Sequence, residues 1–267
     1  MLFGYKKCQK CESEYDVASP TCPMCGAPEK GYEKRKISPS IIWLDTWKQA
    51  VIFVIGWAGL SIAATFASII FGKTSYDSLT INFFAYFTVL TFIGLLMSNN
   101  LRRIWPHFKN AYPYVVGLLG CLVLYLFSTL YGNLINMIHP IEVSTNEQTA
   151  DSFIVSFPVV AFMVIVIMGP VCEELTYRVG FFSLLYRVKP WIAYLASIIL
   201  FGFIHFNFQS VGDGDLFVNE MLNLPFYLFA GFLFCFLYHK WGLAASLSAH
   251  LLNNLLTFLL VLAGSQL

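Results

Sequence analysis

Glu173, Glu174, Arg178, His205, His250 and Asn254 are the residues of this chain best equipped to do chemistry, and each lies in or at the mouth of a segment otherwise built from Leu, Ile, Val, Phe and Ala. An ionisable side chain at a bilayer centre costs about 3 kcal/mol on insertion scales, so such residues pair, face a cavity and mark function. Two imidazoles and a carboxylate pair, supplied by three segments, are the inventory of a hydrolytic site. Glu174 and Arg178 stand i,i+4, where a carboxylate and a guanidinium meet on one helix face. Glu173 points about 100° away from its neighbour, so it is free to face a cavity. His250 and Asn254 repeat the i,i+4 spacing, and an imidazole stacked on an amide in lipid needs a shared polar partner. No Ser or Cys has a matched base nearby: Ser246 and Ser248 lie on the segment of His250, and only Ser246 shares its face. The bland alternatives are a solvated Glu pair at a helix end, an interfacial His205, and a His250–Asn254 pair that only glues helices together.

The elements that must position these groups are membrane spans. The 267 residues are 58% hydrophobic and 12% charged with mean hydropathy +0.68, whereas a soluble domain is typically about 25% charged. The net charge of +1 gives no basic field for nucleic acid. Apolar stretches that approach a hydrocarbon core of about 30 Å run at 47–71, 79–98, 112–137, 153–171, 191–206, 222–238 and 243–262. The expected fold class is an all-α polytopic membrane protein with about seven transmembrane helices, within a range of six to eight. The segment 172–188 continues helically past the fourth stretch. Of the 16 Lys and Arg residues, 15 fall in 1–48, 99–110, 172–190 and 239–241, and Lys73 falls elsewhere. That bias puts the N-terminus in the cytoplasm and the acidic loops 138–152 and 207–221 outside. These limits place Glu173 at the inner face and His205 at the outer, so if the two meet, at least one limit is wrong.

The first forty residues differ in kind, holding seven Lys/Arg, five Asp/Glu and four of the seven Cys. A charged stretch of this length with no apolar run after it excludes a secretory signal. Cys8-Gln9-Lys10-Cys11 and Cys22-Pro23-Met24-Cys25-Gly26 are two CxxC knuckles ten residues apart. Together they supply four thiolates for tetrahedral zinc, and Gly26 permits the tight turn a knuckle needs. Two disulfides are the alternative, which a reducing cytoplasm disfavours. A module this small lacks the core to fold without a staple. It resembles the zinc ribbons at the termini of many bacterial membrane proteins, with a structural or partner-recognition role. Cys121, Cys172 and Cys235 read as small core residues. The expected organisation is a cytoplasmic zinc ribbon and basic linker at 1–36, N-terminal transmembrane helices at 37–150 and a catalytic core at 151–267.

Taken together, Glu173-Glu174-x-x-x-Arg178, Phe201-x-x-x-His205 and His250-x-x-x-Asn254 resemble the three motifs of the CAAX protease and bacteriocin-processing family of intramembrane endopeptidases, also called the Abi family. The resemblance covers roughly 150–262. It implies catalytic positions at Glu173, His205, His250 and Asn254, with Glu174 and Arg178 in support. One departure is Val179, where many members have Gly; here Gly180 follows one place later. The reaction implied is hydrolysis of a peptide bond in a membrane-associated peptide or protein. Glu173, assisted by His205, activates water, and His250 with Asn254 donates to the oxyanion. Two His and one Glu also form a possible catalytic zinc set, but HExxH is absent. A non-catalytic scaffold or bacteriocin-immunity protein of the same fold is the rival from another class. A transporter is a third reading, weakened by the lack of an internal repeat. The expected setting is a bacterial plasma membrane, with the bilayer, a membrane peptide or protein substrate and a cytoplasmic partner of the ribbon as contacts, and no nucleic acid.

Overall fold

The structure, a computed structural model, describes residues 5–16, 19, 21–27, 40–71 and 77–264. Strands β1 (Tyr5–Lys7) and β2 (Glu14–Asp16) pair antiparallel in a small head. Eight principal helices follow: α1 (Thr46–Phe71), α2 (Asp77–Met97), α3 (Tyr112–Asn136), α4 (Thr145–Ser156), α5 (Pro158–Tyr186), α6 (Pro190–Ile204), α7 (Gly214–Trp241) and α8 (Leu243–Gly264). Six are long and apolar enough to cross a membrane, and α6 is a shorter apolar helix. The protein is therefore an all-α polytopic membrane protein. Apolar side chains such as Phe66, Ile69, Ile70, Leu126 and Leu130 stand outward and exposed, as a lipid-facing surface requires.

Prolines and one glycine set the junctions. Pro158 forces Phe157 out of helical geometry (φ −143°, ψ 65°) and so divides α4 from α5. Pro190 does the same to Lys189, which is extended, and α6 starts there. Gly242, at φ 89°, ends α7 and lets α8 begin at once.

Three readings of the span limits change accordingly. The fourth span is 158–186 rather than 153–171, so most of 172–188 belongs to it. The sixth begins at Gly214 rather than 222, which takes Glu220 out of the expected loop and buries it at 1% exposure. Arg178, counted above with the inner loops, is fully buried inside α5. The linker Lys34-Arg35-Lys36 and the boundary at 36 lie outside the described residues, as does Lys73. The boundary at 150 falls within α4.

Helix α5 is the central element: half of its apolar window is buried, against 17% for α1. Helix α1 presses against it without space for a methyl group. A Cβ on Gly56 would lie 1.7 Å from Thr176 Oγ1, and one on Gly180 would lie 3.0 Å from the backbone nitrogen of Phe53. The lead-in to α1 is pinned to the bundle as well. Tyr238 accepts from the backbone N–H of Ile42 at 3.0 Å, and Arg187 donates to the Leu44 carbonyl at 2.6 Å and to Gln49 at 3.0 Å.

Candidate active site

Glu173 lies thirteen residues before the end of α5, and His205 follows fifteen residues after the start of α6. The two helices run back to back from the turn at 187–189, and at 1.5 Å per residue both side chains sit roughly 20 Å from it. The depth conflict in the sequence reading disappears. Glu173 Oε2 is 3.9 Å from His205 Nε2 and 3.8 Å from His250 Nε2, and has no hydrogen-bond partner among the described residues.

Glu174 has the opposite surroundings. Arg178 Nε lies 3.6 Å from its Oε2, His250 Nδ1 shares a 3.1 Å hydrogen bond with its Oε1, and the Ser246 hydroxyl donates to Oε2. The guanidinium of Arg178 also faces the rings of Phe201 at 4.7 Å and Phe234 at 5.5 Å. A cation over desolvated rings gains about 2 kcal/mol per contact, which helps retain a charge this deeply buried. Phe201 in turn meets His205 and His250 edge-on, with centroids at 5.0 and 6.1 Å. The aromatic of the FxxxH pattern is thus the ring around which the cation and both imidazoles pack.

Local backbone accounts for part of this arrangement. Phe162–Met168 and Glu174–Phe182 are π-helical within α5, a geometry found mostly as short insertions at functional sites. Asn254 Nδ2 donates to the Ile165 carbonyl of the first π segment at 3.0 Å, and Asn253 donates to Asn254 Oδ1 at 3.4 Å. One amide hydrogen of Asn254 is therefore engaged with the backbone.

Glu173, His205, His250 and Asn254 all line one cavity of about 820 Å³, with Tyr86, Tyr227 and many apolar side chains completing the wall. Among the described residues its lining contains no Lys or Arg, and Glu147 and Asp151 of α4 stand in it. Three participants stand out only in the structure: Ser246 as a third support of Glu174, Phe234 beneath Arg178, and Tyr227 stacked on His205. Only Ser246 leaves a trace in the sequence, through its shared face with His250.

Residues 155–256 match the family model described as type II CAAX prenyl endopeptidase Rce1-like. Over that stretch the chain is similar to type II CAAX prenyl endopeptidases. The match contains Glu173, Glu174, Arg178, His205, His250 and Asn254 and none of the cysteine head. The UPF0177 protein YvdC of Lactococcus lactis subsp. lactis (strain IL1403) is 27% identical over 127 residues, which cover 47% of this chain and 48% of that protein. The chain thus spans about half the length of the curated relative it matches. No solved structure matches.

The head holds a second polar cluster. The Sγ atoms of Cys8, Cys11, Cys22 and Cys25 all lie within 4.8 Å of one another, with Cys8–Cys25 at 3.7 Å and Cys11–Cys22 at 3.5 Å. Metal–sulfur bonds of about 2.3 Å in a tetrahedron put sulfurs about 3.8 Å apart, so the set fits a metal ion. Each knuckle closes on a left-handed residue, Gly26 at φ 69° in the second and Glu12 at φ 58° in the first. Burial acts to raise the Cys22 thiol, but hydrogen bonds from Ser13 and from the backbone of Cys25 and Met24 bring it down to about 6. For Cys25 a backbone hydrogen bond from Ala27 acts to lower it, yet burial and the Cys11, Cys8 and Cys22 sulfurs push it up to about 12. Four crowded thiols cannot all ionise without a cation among them. Among the described residues, these cysteines are the one group of three or more His, Cys, Asp or Glu side chains that converges this way.

Proposed function

We propose that the chain is an intramembrane endopeptidase that hydrolyses a peptide bond of a membrane-associated peptide or protein with Glu173 as general base. The observation that carries this is the gap between Glu173 Oε2 and the two Nε2 atoms, 3.9 Å to His205 and 3.8 Å to His250. These distances are too long for direct hydrogen bonds, which leaves Glu173 free to act on a water admitted from the cavity. Glu173 takes a proton from that water, and the oxygen attacks the scissile carbonyl carbon. The proton then passes to the leaving amine as the C–N bond breaks. His205 orients the water. His250, anchored through Nδ1 on Glu174, and the remaining amide hydrogen of Asn254 stabilise the oxyanion. Glu174 and Arg178 hold charge and shape and take no part in proton transfer.

The glutamate base is preferred to a catalytic zinc because HExxH is absent and Asn254, one turn from His250, suits an oxyanion donor. The head is proposed to carry one structural zinc, since four thiolate ligands leave no open position for chemistry. The placement proposed is the bacterial plasma membrane with the N-terminus in the cytoplasm, where the ribbon can meet a protein partner. Glu173→Gln keeps shape and removes the base, so it should abolish cleavage while expression and melting stay native. The measurement is comparative peptidomics of membranes carrying the native protein and membranes carrying the Glu173→Gln variant. Equal product patterns would leave the scaffold reading standing.

A further inference from the structure

Helix α7 grips the start of α4 and the end of α6 at two points. At the first, Glu220 accepts from Thr145 N at 2.8 Å, from Thr145 Oγ1 at 2.7 Å and from Asn207 N at 3.3 Å. Asn207 Nδ2 also donates to Thr145 Oγ1 at 3.3 Å, which closes the ring. Glu220 is 1% exposed, and a carboxylate so buried persists only when its oxygens are satisfied. Two helical turns further along the same face stands Tyr227. Its hydroxyl shares a 2.7 Å hydrogen bond with Ser144 Oγ, and its ring lies flat on His205 with centroids 4.6 Å apart and planes 17° apart. The two grips thus take hold of neighbouring residues on both partners, 144 and 145 on one side, 205 and 207 on the other.

His205 has need of this support. It stands where α6 ends, and the rings of Tyr227 and Phe201 pack against its imidazole. A tilt of that imidazole changes the 3.9 Å gap to Glu173 directly. We propose that Glu220 and Tyr227 form a clamp that fixes His205 against Glu173, with Tyr227 the positioning residue for the imidazole. The inference rests on the glutamate–histidine reading above.

The test uses the purified full-length protein in detergent and a proteome-derived peptide library, with kcat and KM measured on the peptide cleaved fastest. Tyr227→Leu removes the stacked ring at similar bulk. A misplacement near 1 Å costs about hundredfold, so kcat should fall roughly tenfold to hundredfold, with KM within about twofold. Tyr227→Phe keeps the ring and loses the hydroxyl's bonds to Ser144 and Asn146, so kcat should fall no more than about fivefold. Ser144→Ala, which leaves the Asn146 bond, should lose no more than that, and the Ser144→Ala/Tyr227→Phe double variant should lose no more than Tyr227→Phe alone. The proposal is overturned by a Leu variant with native kcat, by losses that appear in KM, or by additive losses in the Ser144–Tyr227 pair, which also decides the matter if the Leu variant does not fold. Failure of the native protein to cut any library peptide, or native rates from His205→Ala, would instead overturn the reading beneath it.

Discussion

The cysteine head and the membrane site both gather polar groups around one point, by opposite routes. The four thiols come from two knuckles at most seventeen residues apart, closed by a hairpin and two left-handed turns. The carboxylates, imidazoles and amide come from α5, α6 and α8, spread from Glu173 to Asn254. In the head, spacing along the chain is itself the geometry. In the membrane, spacing gives only the face of each helix, and the junctions decide the depth at which the faces meet. The first cluster draws its sulfurs together at metal-binding separations; the second leaves Glu173 unsatisfied and opens on a cavity.

The largest expected effect tests whether the two clusters also differ in their need for metal. Structural zinc contributes about 10–16 kcal/mol of apparent binding free energy in small modules, so Cys22→Ser should unfold the head outright. Elemental analysis of the native protein should find one zinc per chain, falling to zero in the variant, while α1 to α8 keep their helical signal. Two ions in the native protein, with one surviving in the variant, would put a metal in the membrane site and erase the contrast.

Next come the supports of the membrane site. Removing one partner of a buried ion pair costs about 3–5 kcal/mol. Arg178→Ala and Glu174→Gln should therefore lower folded yield and melting temperature together, unlike Glu173→Gln. If Glu173→Gln proved as damaging, Glu173 would be structural too. His250→Ala and Asn254→Ala should slow turnover about hundredfold, the usual worth of a lost oxyanion donor. Both should also destabilise, because buried Glu174 loses its bond to the His250 imidazole in one and the Ile165 carbonyl loses its amide donor in the other. A variant of either residue that cleaves at the native rate would remove it from the oxyanion role.

Much of this is legible in the sequence, for physical reasons. Apolar length marks a span, the CxxC pair marks a thiolate cluster, and ionisable residues inside apolar helices mark the cavity. Helix limits are less legible. Read by hydropathy, the fourth span ends at 171, because Glu173, Glu174 and Arg178 look like water-facing residues until their partners are known. Glu220 looks like an outer loop acid for the same reason, since the Thr145 and Asn207 donors that satisfy it come from other elements. The proline at 190 holds the missing depth information: counting back from that turn along α5 and forward along α6 brings Glu173 and His205 level. The π-helical turns leave no trace, because a periodicity argument assumes 3.6 residues per turn throughout.

The smallest predicted effect asks whether the two regions are independent at all. Asp16, at the end of β2 and 7% exposed, accepts from the backbone N–H of Thr46 at 2.9 Å and from its hydroxyl. Asp45 stands just before α1 and its carbonyl accepts from Gln49 N, and Asp16 of the head adds a second carboxylate at this positive end of the helix dipole and satisfies the N–H of Thr46. The same helix carries Gly56 and the backbone of Phe53 against the π-helical part of α5. Loss of such a cap costs about 1 kcal/mol, which in a chain of this size shifts melting by about 2–4 °C. Asp16→Ala should show that shift, with faster hydrogen exchange at Gln49 and its neighbours, unchanged metal content and cleavage within about twofold of native. An unmoved melt with unchanged exchange would mean that the head is tethered without being mechanically joined. A loss of cleavage well beyond the loss of stability would mean that the ribbon controls the site through α1.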